Sequence, residues 1–378
     1  MGDPDTGSSG NGLKRQLESL WDQKKPLFHS WFKVLLLLSL LLYPLCYMLS
    51  DRSVLLWERF QLHRHYTQLF NRTYQVRLPP YQVHPKHRLI EGEIHKTTPG
   101  GIQYHYVYPH NYQFIIDNTE VCKNTPFLVL MVPVKPDNVK ARDAIRRTWA
   151  KDSVVQGEQV VTLFMLGISG GIDAETLKKE NLHHQDLIQS NFIDSYFNLT
   201  IKTMVIMDWV ATHCQTAAYA MKVDSDMFLN IDNLVIMLQK PGLPKVNYLT
   251  GMLMWNRPVV RSNNSKWYVP EEILSDPEYP TYTLGMGYIF SSDLPEKIVE
   301  ASKFTKPFNI EDAYIGMCMK MLGLAPTSPP DPSQFKAYNT RYDRCEFSKI
   351  ITYILDSPQR LVNYWKDFKK PGPYCEKV

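Results

Sequence analysis

The chain has 378 residues, of which 44% are hydrophobic and 21% charged, and its formal net charge is +4 at pH 7. A balance this close to neutral, without a basic stretch interleaved with aromatic residues, argues against a nucleic-acid partner. No Gly-x-Gly-x-x-Gly follows the first predicted strand, and no Gly-Lys-Ser/Thr loop occurs. The chain therefore lacks the usual signatures of nucleotide-dependent dehydrogenases and P-loop enzymes.

The N-terminal region contains an uncharged, leucine-rich run at residues 34–50. Such a run is at the short end of what spans a bilayer. A cleaved signal peptide is the alternative, but its cut site normally follows small residues, whereas here Tyr47 and Met48 lie near the end of the run. We predict a cytosolic tail at 1–32 and a transmembrane signal anchor at 33–50. Because basic residues precede the run, everything after it is predicted to be lumenal.

The lumenal part is predicted to begin with a stem. Residues 51–120 are rich in His, Tyr, Pro and Arg without sustained periodicity, which is typical of a spacer, and a folded domain is predicted at 121–378. A lumenal domain is expected to carry glycans, and sequons begin at Asn71, Asn198 and Asn263. Of six cysteines only Cys46 lies in the predicted span. We expect structural disulfides, with at least one cysteine unpaired or paired between chains.

From residue 125 the sequence alternates between strand and helix patterns. The predicted strands are at 127–134, 160–168 and 217–223. The predicted helices are at 139–150, 174–181 and 200–214, the last of them amphipathic. This alternation predicts an α/β fold with a mostly parallel central sheet covered on both faces. Sheets of this kind bind ligands at the carboxyl ends of their strands.

Two acids one residue apart, Asp224 and Asp226, follow the third predicted strand with Ser225 between them. At the end of a buried strand, both carboxylates could bind a hard cation such as Mg²⁺ or Mn²⁺ and so link it to a diphosphate. The same spacing at Asp3 and Asp5 has no strand before it and is not expected to bind metal. For the pair at 224 and 226 the alternative is a strand-end turn with solvated acids, and the spacing alone does not decide.

A second acidic pair, Glu311 and Asp312, precedes a helical pattern that continues through Leu322. Acids in a first helical turn are favoured by the backbone dipole, so helix capping is one interpretation. The other is a general base that takes a proton from an acceptor hydroxyl while a diphosphate leaves. A single base suffices for direct displacement, which would invert the anomeric configuration.

The second half of the domain is rich in aromatic residues and glycines. Trp267 and Tyr268 lie in one such stretch, and Gly285 and Gly287 form a Gly-x-Gly turn. Aromatic rings stack on the apolar faces of sugars, and glycines let the backbone approach a ligand closely. Tight turns and core packing explain each of these residues equally well when it is taken alone.

Five segments in order resemble the β-1,3-glycosyltransferase family. They are Ala141 to Trp149, Met221 to Asn230, Ser265 to Pro270, Gly285 to Tyr288, and Glu311 to Gly316. Within that family the Asp-Ser-Asp-Met-Phe and Ser-Lys-Trp-Tyr runs are most similar to the galactosyltransferases.

The resemblance implies a GT-A-like nucleotide-sugar-binding domain in a Golgi type II membrane enzyme that uses Mn²⁺. It implies UDP-galactose as donor and a terminal N-acetylglucosamine of a glycoprotein or glycolipid as acceptor, and it leaves a homodimer open. It assigns residues as follows: the metal to Asp224 and Asp226, the nucleotide to Arg142, Arg146, Asp224, Ser225 and Asp226, the substrate to Trp267, Tyr268, Gly285, Gly287 and Glu311, and catalysis to Asp312.

Two positions depart from the family pattern. Relatives typically carry a metal-binding His where this chain has Ile354, and a Cys before the Gly-x-Gly turn where it has Thr283. An isoleucine cannot coordinate metal. Two alternatives therefore stand beside galactosyl transfer: a β-1,3-N-acetylglucosaminyltransferase, and a catalytically weak lumenal binding protein with the same fold.

Overall fold

The structure is a computed structural model, and it describes residues 112–337 and 341–375. The predicted cytosolic tail, transmembrane anchor, most of the stem and the sequon at Asn71 lie outside these residues. None of the helices that are described is long and apolar enough to cross a membrane.

Eleven strands are formed by the residues in these ranges. In chain order they are β1 Phe114–Ile116, β2 Leu128–Pro133, β3 Val154–Val155, β4 Glu158–Ile168, β5 Leu187–Ile193, β6 Tyr219–Val223, β7 Met227–Leu229, β8 Leu249–Met254, β9 Tyr282–Ser291, β10 Phe335–Lys336 and β11 Thr352–Ile354. The α-helices are α1 Val139–Arg146, α2 Ala174–His184, α3 Leu199–His213, α4 Ile231–Leu238, α5 Leu294–Ser302, α6 Glu311–Met321, α7 Arg344–Phe347 and α8 Pro358–Phe368. Short 3₁₀ helices are at Thr119–Cys122, Tyr196–Asn198 and Pro332–Gln334.

The central sheet has the strand order β1-β5-β4-β2-β6-β9-β8, with β3 paired to β4. Strands β5, β4, β2 and β6 are parallel. At the flanks β1, β3, β9 and β8 pair antiparallel. The α/β prediction is confirmed, but the sheet is mixed rather than mostly parallel. The apolar runs predicted as strands correspond to β2, β4 and β6 of the parallel part, and no strand was predicted at the antiparallel flanks.

A smaller sheet follows the acidic pair. Strand β11 pairs parallel with β10 and antiparallel with β7, so that Ile354 lies opposite Met227. This second sheet joins the C-terminal part of the chain to the segment directly after Asp226.

Two hydrophobic clusters cover the two faces of the central sheet. Along β2, Leu128, Leu130 and Val132 pack on one face together with α1, α4, α8 and the smaller sheet. Val129 and Met131 pack on the other with α3, α5 and α6. This alternation is the period of two expected of a strand that is buried on both sides.

Helix α3 differs from its prediction. Buried residues surround its axis, among them Lys202, Met204 and Trp209, so it is a central helix and not an amphipathic one. Thr200 donates a hydrogen bond to the Phe308 carbonyl at 2.7 Å, and Lys202 pairs with Asp194 at 2.7 Å. Polar groups inside this helix are thus satisfied by partners that the sequence does not reveal.

The folded domain begins before the predicted boundary at 121. Strand β1 pairs with β5, and Asp117 accepts a hydrogen bond from the Trp209 indole at 2.8 Å. Two disulfides, Cys122–Cys214 and Cys345–Cys375, bear out the expectation of structural disulfides. Cys318 is buried and unpaired, as the odd count of cysteines outside the predicted span requires.

Candidate active site

The first acidic pair lies at the carboxyl edge of the central sheet. Strand β6 ends at Val223, which pairs with Gly287 of β9, and the backbone N–H of Asp224 donates to the Met286 carbonyl at 3.0 Å. The carbonyl of Asp226 accepts from the Leu355 N–H at 2.8 Å. Backbone hydrogen bonds from both sheets therefore fix the turn that carries the two carboxylates, with Ser225 half-buried between them.

The two carboxylates differ in environment. Asp224 accepts a hydrogen bond from the Lys222 ammonium at 2.7 Å. Part of the Asp226 surface is open to solvent. Even so, the protein atoms around its carboxyl group remove water from it, and together with the charge of Asp224 they raise its pKa to about 6. Exposed area combined with many neighbouring atoms is expected of a group that lines a recess.

The second acidic pair begins helix α6. The Oδ2 atom of Asp312 accepts from the Gly285 N–H at 2.9 Å, and Oδ1 accepts from the Ala313 N–H at 2.9 Å. Burial, followed by the charge of Glu311, raises the pKa of Asp312 to about 6. The dipole at a helix N-terminus stabilises the charged carboxylate and so lowers its pKa. Because the pKa of Asp312 is raised, the effect of burial is larger than that of the helix dipole. A carboxyl group with this pKa is suited to act as a general base near neutral pH.

Lys222 connects the two acidic pairs. Its ammonium contacts Asp224 Oδ1 at 2.7 Å, Glu311 Oε1 at 2.9 Å and the Gly285 carbonyl at 2.5 Å. Burial opposes its charge, but Asp224 and Glu311 outweigh burial and raise the pKa of Lys222. Lys222 was not among the predicted site residues, although a lone charged side chain inside the apolar run 217–223 is a signal that could have identified it.

Glu311 has internal partners. Besides Lys222, its carboxylate accepts from Thr203 Oγ1 at 2.7 Å and from the Tyr288 hydroxyl at 3.3 Å, and the residue is 7% exposed. The contact with substrate implied by the resemblance has no support in this geometry. The side chain instead holds β6, α3 and β9 against the start of α6.

The two glycines predicted to form a Gly-x-Gly turn lie inside strand β9, so the turn prediction is wrong. They are under different constraints. A Cβ atom on Gly285 would lie 2.8 Å from Glu311 Oε1 and 3.2 Å from Asp312 Oδ2. A Cβ atom on Gly287 would lie 2.9 Å from the flexible end of Met221. Gly285 is therefore needed so that the acids of α6 can approach the backbone, whereas a contact at Gly287 could be relieved by the Met221 side chain.

Arg142 and Arg146 bind acids other than those of the two pairs. Arg142 is fully buried, and its guanidinium binds both oxygens of Glu180 at 2.6 and 2.7 Å and the carbonyls of Lys135 and Pro136. Arg146 binds Asp186 through two hydrogen bonds of 2.8 Å. These arginines therefore form an ion-pair cluster with Glu180 and Asp186, and their contact with a nucleotide stays a prediction.

Another residue of the same segment does support the acidic pair. The buried indole of Trp149 donates to the Met227 carbonyl at 3.0 Å, one residue after Asp226. The segment Ala141 to Trp149 therefore contributes to the site by holding the backbone that follows the acids.

Trp267 and Tyr268 lie on a surface loop. Trp267 is 50% exposed, and the Lys266 ammonium lies 4.8 Å from its ring and 5.0 Å from the ring of Tyr196. The backbone N–H of Tyr268 donates to the Ser265 carbonyl at 3.1 Å. Trp267 has an accessible aromatic face, and contact of either residue with substrate stays a prediction.

The residues at the acidic turn fit a hard divalent cation. Nowhere in the described part of the chain do three or more His, Cys, Asp or Glu side chains gather into a complete metal site. Asp224 and Asp226 do supply carboxylate oxygens, and Lys222 occupies one oxygen of Asp224. Mg²⁺-type sites commonly use one or two carboxylates and take further ligands from phosphates and water. Ile354 lies beside this turn on β11 and adds no ligand.

Comparison with known proteins bears on the family of the chain. A family model described as galactosyltransferase matches residues 140–330. Beta-1,3-galactosyltransferase 2 of Pongo abelii is 39% identical over 270 residues, which cover 70% of this chain and 64% of that relative. Beta-1,3-galactosyltransferase 1 of Mus musculus is 38% identical over 273 residues, which cover 71% of this chain and 82% of that relative.

Among solved structures, an apo bifunctional glycosyltransferase, WbbM, gives a TM-score of 0.35 at 12% identity, covering 56% of this chain and 40% of that one. A similarity at this level does not bear on the site. The match to the family model, which includes both acidic pairs, and the identity to the two relatives show that the chain belongs to the galactosyltransferase family.

Proposed function

We propose that this chain is an inverting β-1,3-galactosyltransferase with a GT-A-type catalytic domain that includes strand β1 at its start. In this proposal the donor is UDP-galactose, the acceptor is a terminal N-acetylglucosamine of a glycoprotein or glycolipid, and Mn²⁺ is the metal. The names of the relatives, both of them beta-1,3-galactosyltransferases, support the reaction class.

One observation carries the proposal. Consecutive residues of β9 hold the two kinds of acid that the reaction needs, since Met286 binds the backbone of Asp224 and Gly285 binds the carboxylate of Asp312. Direct displacement requires a group that stabilises the leaving diphosphate and a base for the incoming hydroxyl. Both are present at one edge of the sheet.

The roles of the side chains follow from their environments. Asp226, with the free oxygen of Asp224, would hold the cation, which when bound neutralises charge on the diphosphate. Asp312 would accept the proton of the acceptor hydroxyl at Oδ1 or Oδ2. The Gly285 N–H holds that carboxylate in one orientation, and the Lys222 contact with Glu311 holds the helix that carries it. Attack opposite to the leaving group then gives the inverted, β-linked product.

The test is release of UDP by the purified full chain with Mn²⁺, UDP-galactose and an acceptor that ends in N-acetylglucosamine. Turnover that depends on both the acceptor and the metal is expected, with Asp312→Asn as a matched inactive control. Absence of UDP release with every N-acetylglucosamine-terminated acceptor would reject the proposal. Competition between UDP-galactose and UDP-N-acetylglucosamine in the same assay separates galactosyl transfer from the β-1,3-N-acetylglucosaminyltransferase alternative.

Ile354 supports a second candidate, a lumenal binding protein with little turnover. The residue lies opposite Met227, next to the acidic turn, and gives that turn no third protein ligand. Calorimetry of UDP with and without Mn²⁺ distinguishes the candidates: nucleotide binding that ignores the metal, together with no turnover, would favour the binding protein.

Location in the Golgi membrane is part of the proposal. It rests on the leucine-rich run at 34–50 and the basic residues before it. Protease protection of the epitope-tagged C-terminus in intact Golgi vesicles is the expected result. Digestion of that C-terminus without detergent would reject the lumenal orientation.

A further inference from the structure

Lys222 lies where a charged side chain is least expected. It is the fourth residue of the fully buried strand β6 and is itself 4% exposed. Removing an ammonium group from water costs several kcal/mol unless partners compensate. The burial of this one lysine therefore calls for an explanation beyond packing.

Its three partners come from three parts of the site. Asp224 follows β6, Gly285 belongs to β9 and Glu311 begins α6, all within 2.9 Å of the ammonium. Gly285 in turn donates its N–H to Asp312 Oδ2. A continuous path of hydrogen bonds runs from the carboxylate of Asp224 through Lys222 and Gly285 to the carboxylate of Asp312.

Charge gives Lys222 a second connection to Asp312. Glu311, the adjacent residue, raises the pKa of Asp312, and Lys222 lowers it. Three tyrosines, Tyr279, Tyr282 and Tyr288, also face this carboxyl group. Burial raises the pKa of each tyrosine, in Tyr282 to about 12, so all three stay neutral near pH 7. Among these groups Lys222 supplies the positive charge.

We propose that Lys222 is a positioning residue for the reaction: its ammonium fixes Asp224, Gly285 and Glu311 together, and so holds the Asp312 carboxylate in place and compensates the charge of Glu311. The inference rests on the proposed function, in which Asp312 is the base. A lysine with only a structural role would stabilise the fold without changing the protonation of Asp312.

The variants are Lys222→Met, Glu311→Gln and the double variant. The first removes the ammonium while nearly keeping side-chain length and leaves Glu311 buried without its cation. The double variant removes both charges. Lys202→Met is the control, because Lys202 is also buried, at 2% exposure, but pairs with a single carboxylate, that of Asp194, and with the Val134 carbonyl.

The readout is the protonation midpoint of Asp312 in the full chain. It is followed by ¹³C NMR of labelled aspartate carboxyl groups, assigned with Asp312→Asn, and by the acid limb of the kcat profile. Lys222→Met should move the midpoint to higher pH, and the double variant should bring it back toward wild type. Glu311→Gln alone should move it to lower pH. Lys202→Met should lower the melting temperature without moving the midpoint.

The outcomes separate the two proposals. An unchanged NMR midpoint in Lys222→Met, or no return in the double variant, overturns the role of Lys222 even if the enzyme is active. If Lys222→Met does not fold, Glu311→Gln decides, because a midpoint that fails to fall contradicts the inference. Midpoints that move as expected in a chain without turnover overturn the proposed function alone.

Discussion

Two clusters of buried charge lie along the same sheet and have opposite character. In one, Arg142 and Arg146 face Glu180 and Asp186. In the other, Lys222 faces Asp224 and Glu311, with Asp226 and Asp312 close by.

The two clusters differ in the pKa values of their acids. Burial opposes the charge of Glu180, but hydrogen bonds from the two arginines outweigh burial and lower its pKa. In the lysine cluster burial prevails, and the pKa values of Asp226 and Asp312 rise to about 6.

The difference shows how charge balance separates a structural cluster from a reactive one. Where cations match anions, as at Glu180, hydrogen bonds from the cations keep the carboxylate ionised despite its burial. Where one ammonium faces four acids, some carboxylates stay poorly compensated, and such groups bind cations or exchange protons. The predictions below test this contrast, beginning with the largest expected effect.

Asp226→Ala should abolish metal-dependent binding of UDP, because Asp226 is the acid of the first pair that no lysine occupies. The measurement is calorimetry of UDP with and without Mn²⁺. Asp232→Ala is a suitable control, because Asp232 pairs with Lys369 on the surface and lies outside both clusters. UDP affinity in Asp226→Ala that still responds to Mn²⁺ would show that the cation is held elsewhere.

Asp312→Asn should lower kcat by about 10²- to 10⁴-fold, the range of general base catalysis. An asparagine can still accept the Gly285 hydrogen bond but cannot take a proton. UDP affinity should stay within about twofold of wild type, as measured by the same calorimetry. If Asp312→Asn and Asp226→Ala fail in the same way, the division of roles between the two acidic pairs is wrong.

Arg142→Met should chiefly destabilise the fold, by about 3–5 kcal/mol, the usual result of breaking a buried ion pair. The variant leaves the Lys135 and Pro136 carbonyls without their donor, and Glu180 loses one of the two arginines that bind it. Thermal unfolding measures the loss, and calorimetry on the folded protein should give the wild-type affinity for UDP. Lower UDP affinity at unchanged stability would instead restore the nucleotide contact that the family resemblance implies.

The sequence predicted the parts of this structure that local pattern determines. The apolar runs ending at Pro133, Ile168 and Val223 form parallel strands as expected, and Asp224 and Asp226 lie at the carboxyl edge. The sequence could not predict how β8 and β9 close the sheet, because antiparallel pairing depends on partners distant in the chain. It could not predict that Arg142 and Arg146 pair with Glu180 and Asp186, because the residue type gives donors but not their acceptors. The charge of Lys222 inside an apolar strand is visible in the sequence, but its three partners are not, because they come from separate parts of the chain.

The pH dependence of turnover should show the smallest effect, and it compares the two reactive acids directly. A base with a pKa of about 6 is half active at pH 6 and about one-tenth active at pH 5, so kcat at saturating UDP-galactose and Mn²⁺ should fall about tenfold per pH unit on the acid side. A bound cation lowers the pKa of its carboxylate ligands, which removes Asp226 from this profile. The value of kcat/KM depends on the ionisation of both Asp226 and Asp312 in the free enzyme. It should therefore decrease more steeply at low pH than kcat does. Equal slopes in the two profiles would mean that only one of the two acids must be ionised for activity.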